Sequence, residues 1–108
     1  MEKIEYKKVE QLNTGKVTLI ILNIDKLEEV NEIVGRDEQI KKVQNGIVSD
    51  LTGQVKMSFW DEHAGKFQEG DKIKLIDGWC KEYEGDLQLS PGKFGRISLV
   101  PPEKIEDN

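Results

Sequence analysis

The sequence predicts an all-β fold, a five-stranded barrel with a short helical turn between strands 3 and 4. Three observations lead there. β-type segments follow one another with short turn signals between them. No window of useful length carries the amphipathic helical period. The chain has 108 residues, 36% hydrophobic and 34% charged, which is enough for one domain with one modest core.

The first strand, "KVTLIILNI" from Lys16 to Ile24, is apolar on both parities and so exposes little on either face. It is expected to continue, strongly bent, towards Glu32 to Val34. "GRDE" is a loop, and "QIKKVQNGIVSD" the second strand, with Gly46 as a bulge. "DLTG" at Asp50 to Gly53 turns the chain into the third strand, within "VKMSFWDE". The helical turn belongs to "EHAGKFQEGD" and ends at Gly70. "KIKLIDGWCKEYEGDLQLS" gives two strands around "EGD", and "KFGRISLV" is the last strand before "PP" ends the fold. Five strands with a small insert after the third point to the oligonucleotide/oligosaccharide-binding (OB) barrel of Greek-key topology; a β-sandwich asks for more strands. The expected domain spans residues 1–108, with a core over about 14–100, a short polar N-terminal arm and an acidic C-terminal tail.

Composition removes several classes of function. "VTLIIL" is too short to span a bilayer, and "MEKIEYKKVEQ" lacks the apolar region of a secretory signal, so a cytoplasmic location without a membrane partner is expected. One Cys (Cys80) and one His (His63) can form neither an internal disulfide nor a closed zinc site, and no metal or cofactor is expected. "GKFGR" has no phosphate-loop spacing. His63 lacks a Ser or Cys partner and is expected at the surface, Asp61 and Glu62 are expected to cap a turn, and no enzyme activity is expected. Net charge is −5, but residues 39–100 carry nine basic and nine acidic side chains, so the excess acid lies towards the ends.

The aromatic residues form a pattern. Alternation along the third strand sends Val55, Met57 and Phe59 to one face and Lys56, Ser58 and Trp60 to the other. Trp79 and Tyr83 lie four apart with Lys81 between them, hence on one face of an extended strand. Strict alternation from Ile73 and Leu75 would send Trp79 inward, so an extra residue at Asp77–Gly78 is expected to reverse the parity. One surface then carries Trp60, Trp79 and Tyr83 with Lys56 and Lys81. Such a surface suits single-stranded nucleic acid: rings stack on bases whatever their identity, at about 1–3 kcal/mol each, while ammonium groups meet phosphates. The alternative for both indoles is packing in the core or at the barrel rim. Phe59 and Phe67 are assigned to packing, and Phe94 to a strand rather than to a fourth platform.

The segment "DLTGQVKMSFWDEHAGKFQEGDKIKLIDGWCKEYEGDLQLSPGKFGRI" resembles the OB-fold single-stranded-DNA-binding proteins of archaea and their replication protein A-like relatives. The resemblance rests on the "D-x-TG-x-V" turn, the "W-D" after an alternating strand, the "F-x-EGD" connector, the "G-W" strand and the "EG-x-LQL" hairpin. It implies base stacking on Trp60, Trp79 and Tyr83, a five-stranded barrel, no catalysis and no metal. It also implies a role in replication, repair or recombination. The expected site combines these rings with Lys56, Lys81, Arg36, Lys41 and Arg96 along the backbone of single-stranded DNA, with RNA as the alternative and other replication or repair proteins as further partners. The segment "LEEVNEIVGRDE" departs from the family's basic character, setting Glu28, Glu29, Glu32, Asp37 and Glu38 against Arg36. That loop would repel phosphate. It leaves open an OB module for protein interaction, or a weakly binding paralogue within a larger complex.

Overall fold

The doubly apolar run near the start of the chain becomes the longest strand, β1 (Gly15–Leu27), because it has a neighbour on each side. It pairs antiparallel with β3 (Ile40–Asp50) near its C-terminal end and with β5 (Lys72–Tyr83) along most of its length. The computed structural model describes residues 6–101; the start of the expected arm and all but the first residue of the acidic tail lie outside the described residues. β3 pairs with β4 (Gly53–Trp60), β4 runs parallel to β6 (Asp86–Ser90), and β6 returns antiparallel to β5. The ring β1-β3-β4-β6-β5 closes on itself, which is the five-stranded OB barrel and leaves no open edge within the ring. Two short strands are added outside it: β2 (Asn31–Val34) on β3 and β7 (Arg96–Leu99) on β5.

Inward-pointing residues from all five strands fill the barrel, among them Ile20, Val48, Met57, Leu75, Cys80 and Leu89, each fully buried. Phe59 and Phe67 pack together in this core as expected, their ring centroids 5.9 Å apart. One end of the barrel is held by the segment before β1. The Asp50 carboxylate accepts hydrogen bonds from the Val9 amide (2.9 Å) and from the amide and hydroxyl of Thr52 (2.7 and 2.6 Å). Burial raises the Asp50 pKa, but the bonds from Thr52, Val9 and Gly53 together outweigh it and hold the carboxyl below its ordinary value.

Several expectations are corrected. Gly46 is not a bulge: its pairing with Met57 keeps step with Asn45↔Ser58 and Ile47↔Lys56, and the irregularity lies in β1 between Ile24 and Lys26. Gly46 is instead a point of close approach, where a Cβ would stand 2.5 Å from the Lys26 carbonyl oxygen. β1 does not run on to Val34. The Leu27 amide leaves the ladder for the Glu69 carboxylate (2.9 Å), and residues 31–34 form a separate ribbon with the start of β3. The helical turn is a 3-10 turn over Asp61–His63, earlier than expected, while Gly70 belongs to the next turn. Asp61 does not cap the turn as expected: no side chain caps it, and the Asp61 carboxylate instead accepts the Lys42 amide of β3 at 3.1 Å, which ties the turn to the neighbouring strand. His63 is buried rather than at the surface, and that burial pushes its imidazole pKa down. The last strand starts at Arg96, not Lys93, which leaves Phe94 in a turn.

Candidate nucleic-acid interface

The outer face of β3, β4, β6 and the far half of β5 is one continuous surface, and register fixes its occupants. On β4, Val55, Met57 and Phe59 are buried inward, while Lys56, Ser58 and Trp60 point outward. Trp60 stands opposite Val43 on β3 and is half-buried over it. Lys41, two residues along β3 from Val43, extends the same face onto the β2–β3 ribbon, where it pairs with Ile33.

Trp79, Lys81 and Tyr83 all point outward from β5, with Trp79 49% and Tyr83 61% exposed. The parity reversal that this requires is present, but no residue is inserted. The pairs Leu19↔Ile76 and Val17↔Gly78 advance one for one, so β1 and β5 turn together. Asp77 produces the turn by adopting a left-handed conformation (φ 54°), which suits Asp before Gly. Beyond it, the inward positions of β5 fall to Gly78 and Cys80, and those of β1 to Val17. A Cβ at Gly78 would stand 2.6 Å from the buried Leu75 side chain, so any larger residue at the crossover would have to displace Leu75 in the core.

Between the aromatic groups runs a polar belt that the sequence reading missed. The Ser58 hydroxyl donates to Asn45 Oδ1 (2.7 Å) and accepts from Gln88 Nε2, linking β3, β4 and β6 across the floor of the face. Ser58 is buried by these neighbours although it lies on the outer side. Lys56 is also engaged. Its ammonium lies 3.2 Å from the Asp86 carboxylate, itself opposite Tyr83 on the hairpin.

The structure therefore brings Trp60, Trp79, Tyr83, Lys56, Lys81 and Lys41 onto one surface. It does not bring Arg36 and Arg96 there. Arg36 sits in the turn at the tip of the β2–β3 ribbon, and Arg96 lies on β7, paired to Ile76 on the near side of the Asp77 crossover. Phe94, assigned from the sequence to a strand, instead stands 80% exposed in its turn and lines a cleft of about 600 Å³ together with Trp79, Lys16 and Lys93. The bracketing glycines of "PGKFG" were the signal for a turn there. Among the described residues no group of three or more His, Cys, Asp or Glu is placed to hold a metal ion, and no helix is long and apolar enough to cross a membrane.

A closed OB barrel with an aromatic and lysine-bearing outer face is the class of protein that fold and site define. No family model matches the sequence. The chain is 29% identical over 87 residues to the single-stranded DNA binding protein Ssb of Saccharolobus solfataricus, covering 81% of this chain and 56% of that protein. It is 32% identical over 116 aligned positions to replication factor A of Methanothermobacter thermautotrophicus, covering 95% of this chain and 14% of the relative. The chain thus spans about half or less of the curated relatives it matches. Among solved structures, the OB domain of a Thermoplasma acidophilum protein superposes with a TM-score of 0.76 at 21% identity, over 95% of this chain and 93% of that one. The chain is a homologue of the archaeal single-stranded DNA-binding and replication factor A proteins, within the OB fold.

Proposed function

We propose that this chain binds single-stranded DNA by stacking unpaired bases on Trp60, Trp79 and Tyr83, without performing chemistry on the strand. The observation that carries this reading is the coincidence of three partly or largely exposed rings on one barrel face with Lys56, Lys81 and Lys41 beside them. Exposed indole and phenol rings in a folded barrel leave apolar area in water, and a base removes that area whatever its sequence. Charge plays the smaller part. Lys56 is shared with Asp86, and Glu28, Glu29 and Glu32 flank the ribbon, so few phosphates are neutralised and affinity falls only shallowly with salt. The names of the homologous proteins support the same ligand and a role in replication. Within this reading residues 1–108 act as one OB unit.

The test is the fluorescence anisotropy of a labelled oligothymidine against a duplex of equal length at low salt. Binding of the single strand at micromolar protein, at least about tenfold tighter than the duplex, is the expected result. Equal affinity for both would mean that phosphates, not bases, are recognised, and would remove the stacking reading.

A further inference from the structure

We propose that the cleft between Trp79 and Phe94 is a fourth stacking subsite, which takes the nucleobase adjacent to the one on Trp79. The proposal rests on the nucleic-acid reading above and extends its path beyond the three rings.

Two observations make the cleft a prepared site rather than a stray exposed side chain. The first is its lining. Phe94 and Trp79 supply aromatic walls, and the volume of about 600 Å³ lies within the about 300–1,000 Å³ range of ligand clefts. The second is the fixation of the turn that carries Phe94. Gly92 adopts a left-handed conformation (φ 64°), and a Cβ there would meet Trp79 Cβ at 3.3 Å, so the turn lies directly against the indole stem. At Gly95 any Cβ would collide with the Pro91 carbonyl and stand 2.8 Å from the carbonyl oxygen of Asp77. The turn is folded tightly on itself and against the crossover of β5. The turn thereby holds the backbone of Phe94 beside Trp79, and its ring stands 80% exposed at the mouth of the cleft.

The chemistry of the rim selects the occupant. Lys16 lies opposite Trp79 on β1, and the Lys93 ammonium is 5.8 Å from the Phe94 ring centroid. Asp77 offsets one of them, pairing with Lys16 at 3.7 Å, and leaves the rim with one net positive charge. Flat aromatic walls with a cationic rim fit a base and its phosphate better than an aliphatic side chain of a protein partner. Trp79 is shared between this cleft and the three-ring face, so a strand leaving the face passes into it.

The test uses the full chain and an oligothymidine of about 12 nucleotides, within the site size of one OB fold. Phe94→Ala is expected to weaken binding about fivefold or more, while Phe94→Trp binds within about twofold of the parent and its new indole is quenched on saturation. An unchanged affinity of Phe94→Ala, or an unquenched indole in Phe94→Trp, overturns the fourth subsite and leaves the cleft to a protein partner, with the three-ring reading intact. If the parent chain itself binds no oligothymidine, both proposals fall together.

Discussion

The ammonium of Lys56 lies 3.2 Å from the carboxylate of Asp86, on the very face that carries Trp60, Lys81 and Tyr83. Both side chains are largely exposed, so the pair contributes at most about 1 kcal/mol to stability. Its larger effect is on the ligand, because Asp86 competes with phosphate for Lys56. Asp86→Asn is therefore expected to tighten single-strand binding about two- to fivefold at low salt and to steepen the slope of log K against log salt by about 0.7, the value of one added contact on a single strand. A titration series in increasing salt checks this; an unchanged slope would show that Lys56 does not meet phosphate.

Trp60 and Trp79 differ in burial, and their truncations should differ in kind. Trp79 is half-exposed beyond the Asp77 crossover, so Trp79→Ala is expected to weaken binding about tenfold while lowering the denaturant midpoint less than Trp60→Ala does. Trp60 half-covers Val43, so Trp60→Ala should weaken binding and also lower stability by about 1–2 kcal/mol. Paired affinity and unfolding measurements on the two variants separate the roles. A Trp79→Ala chain that unfolds would make Trp79 a packing residue.

Acid should release the segment before β1 from the barrel. The Asp50 carboxyl is held below its ordinary value of 3.8 in the fold, so its contribution is fully present above the unfolded-state pKa and is lost as pH falls through the lower, folded one. Asp50→Ala is expected to cost about 1–2 kcal/mol at pH 7, since it leaves the Val9 and Thr52 amides without their acceptor. Denaturant unfolding of parent and variant should converge as the pH falls through the folded-state pKa, below the ordinary carboxyl value. A difference that persists there would mean the loss is one of packing rather than of the charge.

Much of the candidate face can be read along the chain, and what cannot has a physical cause. The outward set Lys56, Ser58 and Trp60 follows from period two counted from the Asp50–Gly53 turn, a purely local rule. The outward turn of Trp79 was readable from the Asp77–Gly78 pair, although the means is a left-handed Asp77 in step with β1 and not an inserted residue. The Ser58–Gln88 and Lys56–Asp86 contacts depend on the parallel register of β4 with β6, which places Lys56 beside Gln88. Registers between distant strands leave no local pattern, so neither the polar belt nor the competing carboxylate could be read in advance. His63 was misplaced for a similar reason: its burial comes from the tertiary packing of a short connector, which composition does not record.

The central claim is that bases settle on exposed indoles of the barrel, and tryptophan emission reports on it directly. With Trp60 and Trp79 the only two indoles in the chain, saturating oligothymidine at low salt should quench most of the emission, and Trp79→Phe should remove a large part of the quenched signal while retaining binding. Binding detected by another probe with the emission of both indoles unchanged would contradict the account.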